Sequence, residues 1–107
     1  MCGIMGVVSE NGEVSQDIYY GLWSEQHRGQ ESGGIVTYDG VKYHEKRAMG
    51  TIDVALRNDY PFLLGKAGIG HVRYSNTGGS TIENAQPIEG IFRSVPFWIA
   101  HNGNLVN

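Results

Sequence analysis

At 107 residues the chain has room for one hydrophobic core and not for two. Apolar residues at 40% and charged residues at 18% give the composition of a globular protein, not a disordered or fibrous one, and no apolar run reaches membrane-spanning length. The formal charge is −3 and the eight Lys and Arg residues are scattered, so the basic footprint of a nucleic-acid or anionic-membrane binder is missing.

The first residues, Met1-Cys2-Gly3-Ile4-Met5-Gly6, carry no basic segment followed by a long apolar one. No secretory signal is expected, and Cys2 begins the folded protein. The single Cys excludes an internal disulfide and suits a reducing, cytoplasmic setting. Ile4 to Val8 reads as a buried strand that enters a turn at Asn11-Gly12. A helix is predicted over 15–28: Ser15 can cap it, Asp17 favours its first turn, Ile18, Leu22 and Gln26 fall four apart, and Gly29 can stop it. Residues 35–38 and 41–44 flank Asp39-Gly40, a hairpin signal of the type I′ kind.

Thr51 to Arg57 reads as a short helix that ends before Tyr60-Pro61. Ala67 to Tyr74 reads as a strand, and Ser75 to Pro87 as a polar loop without periodicity. Phe97 to Ala100 is a buried strand running into His101-Asn102-Gly103-Asn104. Strands outnumber helices, which gives an α+β class with layered sheets. No internal repeat or linker divides the chain, and the absence of a closing element after Leu105-Val106-Asn107 suggests truncation.

Cys2 is the first residue able to carry chemistry. Removal of Met1 would leave a cysteine bearing a free α-amine, with reference pKa values of about 7.7–8.0 for the amine and about 8.5 for the thiol. One residue would then supply both nucleophile and general base, through a bridging water. The plainer reading is a small buried hydrophobe.

Three polar stretches follow predicted elements: Gln26-His27-Arg28-Gly29-Gln30-Glu31-Ser32, His71-Val72-Arg73-Tyr74-Ser75 and His101-Asn102-Gly103-Asn104. Arg73 could clamp a substrate carboxylate or form an ordinary surface ion pair. Asn102 and Gly103 could form an oxyanion hole or simply an Asn-Gly turn. His27, His44, His71 and His101 show no metal-ligand spacing, so packing or hydrogen-bonding roles are expected. Gly65-Lys66-Ala67 lacks the marks of a phosphate loop, and Gly68-Ile69-Gly70 begins a dinucleotide pattern that Arg73 breaks at the third Gly position. Tyr19, Tyr20, Trp23, Phe97 and Trp98 are sufficiently explained as core or interface.

Together, Cys2 to Val7, Gln26 to Gly34, Gly70 to Pro87 and Ile99 to Asn104 resemble, in order and spacing, the N-terminal part of class II glutamine amidotransferases. His27 to Ser32 and Thr77 to Pro87 are most similar to the branch that carries a phosphoribosyltransferase domain and opens purine synthesis. The sugar-phosphate branch usually has Tyr-Asp where this chain has Gln30-Glu31.

The resemblance implies an N-terminal-nucleophile hydrolase fold, a four-layer αββα sandwich of which residues 1–107 form only the N-terminal half, with the phosphoribosyltransferase domain absent. It implies Cys2 as nucleophile, and as base through its free amine, with Asn102 and Gly103 as the oxyanion hole. Arg73, Arg28, Gly29, Ser75 and Asn76 would contact glutamine, and Ser75 to Asn84 would form the loop that closes over it. Asn76 stands where relatives usually carry Thr; Gly33-Gly34 and Trp23-Ser24-Glu25 are further departures.

The expected activity is hydrolysis of glutamine to glutamate, with ammonia passed to phosphoribosyl pyrophosphate to give 5-phosphoribosylamine. No cofactor is expected within this segment; magnesium, and in some relatives an iron–sulfur cluster, would belong to the rest of the enzyme. The expected partners are glutamine, the phosphoribosyltransferase domain and further copies of the chain. Alternatives are a catalytically inactive, self-associating fragment, since a retained Met1 would turn the needed amine into an amide, another class II amidotransferase, or another amidase with an N-terminal nucleophile.

Overall fold

Alternation along the strands determines which side chains meet, and the computed structural model describes this for residues 2–26, 30–74 and 81–102. The elements are β1 (Gly3–Val8), α1 (Ser15–Glu25), β2 (Gln30–Tyr38), β3 (Tyr43–Met49), α2 (Ile52–Ala55), β4 (Ala67–Tyr74), β5 (Ile88–Phe92) and β6 (Val95–Ile99), with single 3-10 turns at Tyr60–Phe62 and Ile82–Asn84. Strands β1-β4-β2-β3, in that order, form one antiparallel sheet, and β5 and β6 form a separate hairpin. The α+β reading stands.

Helix α1 covers one face of the four-stranded sheet. Ile18 and Leu22, one turn apart, are fully buried with Val14, Ile35, Ile52, Leu56 and Val72, and each such side chain contributes roughly 1.5–3 kcal/mol of burial. The sheet makes room for them with glycine: a Cβ at Gly70 would collide with Ile18 and Leu22, and one at Gly68 with Ile18. The Gly68-Ile69-Gly70 spacing is therefore a helix-packing feature. Tyr19 completes this side by stacking on Tyr60, with ring centroids 4.2 Å apart.

Several boundaries differ from the sequence reading for local reasons. The helix starts at Ser15 as expected, but its N-cap is Val14, whose carbonyl accepts from Ile18 N–H at 3.0 Å, and Ser15 is buried inside the first turn. It ends at Glu25, not 28, because Gln26 turns to an extended conformation and its side-chain oxygen accepts the Ile52 N–H at 3.1 Å. The expected stop at Gly29 lies outside the described residues.

The β2–β3 loop spans Asp39 to Lys42 instead of two residues. The Asp39 carboxylate accepts from the N–H groups of Val41 and Lys42 at 2.7 and 2.8 Å, and Gly40 alone in the loop has positive φ. The helix expected over 51–57 is one turn long, and Thr51 caps it by position without a side-chain bond.

The hairpin at β5 was not anticipated, and β6 is largely exposed where a buried strand was expected: Phe97 is 40% and Ile99 48% accessible. Its turn places Arg93 and Ser94 at φ of 52° and 66°, the I′ conformation on residues that do not announce it. The hairpin leans on the sheet through Trp98, 6.1 Å from Tyr43 between ring centroids, and through Tyr43 Oη, which donates to Pro96 O at 3.2 Å. That contact leaves most of the hairpin uncovered.

Candidate active site

The period-two rule divides the candidate residues from the core. On β4, Gly68, Gly70 and Val72 face α1, which puts Ile69, His71 and Arg73 on the opposite face. On β1, Met5 reaches α1 at Gly21, so the odd positions face the helix and Cys2 and Ile4 face away. Gly3 pairs with Val72 and Ile4 with His71. One further step in this register brings Cys2 level with Arg73. Cys2, His71 and Arg73 thus share one end of the face that the helix does not cover.

Asn102 arrives there from the other end of the chain. The Cys2 N–H donates to Asn102 Oδ1 at 3.1 Å, joining residues 100 positions apart. An amide whose oxygen is engaged this way turns its NH₂ elsewhere and keeps both hydrogens free to donate. Cys2 is a half-buried free thiol and Asn102 is exposed, so the pair is open to a ligand.

The segment before Asn102 is fixed from two sides. Gln86 Oε1 accepts the His101 N–H at 2.8 Å, and His71 Nε2 lies 2.9 Å from the His101 carbonyl oxygen. A carbonyl only accepts, so Nε2 carries the proton and Nδ1 is bare; Nδ1 is buried without a partner among the described residues. Burial pushes the His71 pKa down to about 4, and the imidazole is neutral at physiological pH. Gln86 is itself buried and lies over Gly34 of β2, while Arg47 of β3 donates to Ala85 O at 3.1 Å.

A second set of contacts frames residues 27–29. Before them, Tyr74 Oη donates to Glu25 O at 3.2 Å. After them, the buried Gln30 side chain donates to Ser32 O and Gly50 O and accepts from Ile52 N–H, each at 2.8 Å. The two glutamines flanking this block thus share one backbone donor, Ile52 N–H.

Of the residues singled out from sequence, the structure bonds Cys2 to Asn102 and puts Arg73 on the same sheet face as Cys2. Arg28, Gly29, Ser75, Asn76 and Gly103 lie outside the described residues. His71 has the hydrogen-bonding role expected of it, though the sequence did not name its partner. Sequence reasoning passed over Gln86, which sits in an aperiodic loop that gives no signal. Among the described residues no three His, Cys, Asp or Glu side chains gather as a metal-ligand set. An apolar groove of about 320 Å³ between β6 and the sheet, lined in part by Val36, Ile69 and Trp98, is separate from Cys2 and Asn102.

Comparison with known proteins gives a consistent result. No family model matches the chain. An amidophosphoribosyltransferase of Archaeoglobus fulgidus is 48% identical over 109 residues, covering 100% of this chain and 24% of the relative. Those of Methanocaldococcus jannaschii and Bacillus subtilis are 48% and 46% identical, covering 100% and 99% of this chain and 23% and 22% of theirs. The solved structure of the B. subtilis glutamine phosphoribosylpyrophosphate amidotransferase complexed with ADP and GMP superposes with a TM-score of 0.82 at 38% identity, over 98% of this chain and 22% of that one. The chain therefore spans about a quarter of the length of the curated relatives it matches.

Proposed function

We propose that this chain is the glutaminase part of an amidophosphoribosyltransferase, a reading supported by its similarity in sequence and fold to about a quarter of the length of such enzymes. The observation that carries the reading is the Cys2 N–H to Asn102 Oδ1 bond, which sets the only thiol of the chain beside an amide donor. With Met1 removed, the same nitrogen is an amine that can still donate to Asn102 while its lone pair, in the neutral form, takes the thiol proton through a water.

The thiolate attacks the side-chain amide carbon of glutamine. The negative charge that develops on oxygen is met by the Asn102 NH₂ and the Gly103 N–H. The protonated amine then returns its proton to the departing nitrogen, releasing ammonia and leaving a glutamyl thioester. Water, deprotonated by the amine, hydrolyses the thioester to glutamate and restores Cys2. Arg73, on the same face as Cys2, holds the α-carboxylate in a planar clamp. Arg28, Gly29, Ser75 and Asn76 complete the glutamine site in this reading.

Residues 1–107 are then the N-terminal portion of a longer domain, followed by a phosphoribosyltransferase domain in which ammonia and phosphoribosyl pyrophosphate give 5-phosphoribosylamine. In this reading magnesium, and an iron–sulfur cluster where one is present, belong to that remainder, and no step here passes through them. Ile91, Phe92 and Val95, at 73%, 65% and 62% exposure, are apolar side chains of the hairpin suited to cover by the rest of the polypeptide or by a second copy in a homo-oligomer. A cytoplasmic setting fits the single free thiol and a pathway of soluble metabolites.

The test is Cys2→Ala in the complete enzyme. Glutamine-dependent synthesis of 5-phosphoribosylamine should be abolished while ammonia-dependent synthesis continues. Equal loss of both, or retention of the glutamine reaction, removes Cys2 from the role.

A further inference from the structure

Asn102 is exposed and lies beyond the last paired residue of β6, Ile99, so strand pairing does not fix it. Its side-chain oxygen accepts the Cys2 N–H, and its backbone is fixed by the preceding residue. The His101 N–H is held by Gln86 Oε1 at 2.8 Å and its carbonyl by His71 Nε2 at 2.9 Å, from two side chains that are themselves buried. These come from unrelated places: His71 from the middle of the sheet, on the strand paired to the one that follows Cys2, and Gln86 from the loop pressed on Gly34. The backbone of one residue is therefore gripped at both its N–H and its C=O, in the two peptide units that lead into the amide proposed to meet the developing charge.

We propose that His71 and Gln86 are positioning residues for glutamine hydrolysis, holding the His101 backbone so that the Asn102 NH₂ is aimed at the oxyanion. The inference rests on the glutaminase reading above. Neither side chain exchanges a proton with substrate in this role. His71 serves as a fixed Nε2–H donor, and a side chain that presents N–H at the same place should replace it. Oxyanion donors act through placement, and a looser supporting shell lowers the rate of the chemical step more than it lowers substrate affinity.

The experiment uses the complete enzyme with His71→Leu, His71→Gln and Gln86→Met. His71→Leu deletes the donor, Gln restores an N–H at the Nε2 position, and Gln86→Met removes the acceptor at nearly constant shape. Expected is a fall of about tenfold or more in kcat for glutamine hydrolysis in His71→Leu and Gln86→Met, with KM for glutamine within about twofold, and recovery of most of kcat in His71→Gln. Ammonia-dependent synthesis checks that each variant is folded. If His71→Leu does not fold, Gln86→Met reads the same grip from its other side.

Wild-type kcat in Gln86→Met or in a folded His71→Leu, a loss confined to KM, or failure of His71→Gln to recover would overturn the proposal. Asn102→Ala run alongside separates the two levels. If it lowers kcat while His71→Leu and Gln86→Met do not, only the positioning role falls. If it leaves kcat unchanged, the oxyanion reading falls and takes this inference with it.

Discussion

Gly34 and Gln86 are in backbone contact so close that a Cβ on Gly34 would overlap the Gln86 carbonyl. The obstacle there is main chain, which cannot rotate aside, whereas a Cβ on the neighbouring Gly33 would press most closely on the terminal methyl of Ile52, at 2.8 Å, with the His71 carbonyl oxygen at 3.4 Å. Gly34→Ala should therefore cost roughly 1–3 kcal/mol of stability and disturb the Gln86 grip on His101, while Gly33→Ala should cost less than about 1.5 kcal/mol. Urea midpoints of the two variants decide it: equal midpoints would show that the 85–87 segment yields freely.

Asn102→Ala removes the amide NH₂ without removing the thiol. In the complete enzyme it should lower kcat for glutamine on the order of a hundredfold, about 3 kcal/mol of transition-state stabilisation, with a much smaller change in KM. Steady-state kinetics with glutamine check this, and an unchanged kcat would take Asn102 out of the oxyanion role.

His71 gives stability a pH dependence whose sign follows from its neutral state. Its folded pKa, about 4, is below the unfolded reference of about 6.5, so the unfolded chain binds the extra proton first. The contribution is fully present above pH ~6.5 and is lost as pH falls from there toward 4, to a limit of about 3 kcal/mol. Urea unfolding of wild type and His71→Gln between pH 4 and 7 measures it as the difference between the two profiles. Parallel profiles would contradict a buried, neutral imidazole.

Leu22 is fully buried on α1 and lies in the space left by Gly70. Leu22→Ala should destabilise the protein by about 2–5 kcal/mol, because the glycine beneath it offers no side chain to refill the cavity. Calorimetry or urea unfolding would show a shift well under 1 kcal/mol if the helix did not pack as described.

What could be read from the sequence was what depends on local pattern. β4 follows from its β-prone run, and α1 from Ile18 and Leu22 at a four-residue spacing. Cys2, Arg73 and Asn102 stood out because a thiol next to a removable Met, a guanidinium and an Asn-Gly pair each suggest chemistry by residue type. What could not be read depends on partners distant in sequence. Gln26 ends the helix because Ile52 N–H is available to it, and the β5–β6 turn uses Arg93 and Ser94 in a conformation that Gly or Asn would have advertised. The grip on His101 needs His71 and Gln86, 30 and 15 residues away, and only the fold brings them together.

The measurement closest to the central claim is glutamine hydrolysis by the complete enzyme in two forms distinguished by intact mass, one lacking Met1 and one in which Met1 is retained. The account predicts turnover, together with labelling of Cys2 by a glutamine-like diazoketone in peptide mapping, only in the form whose Cys2 nitrogen is a free amine. Equal turnover by the form that keeps Met1 would contradict it.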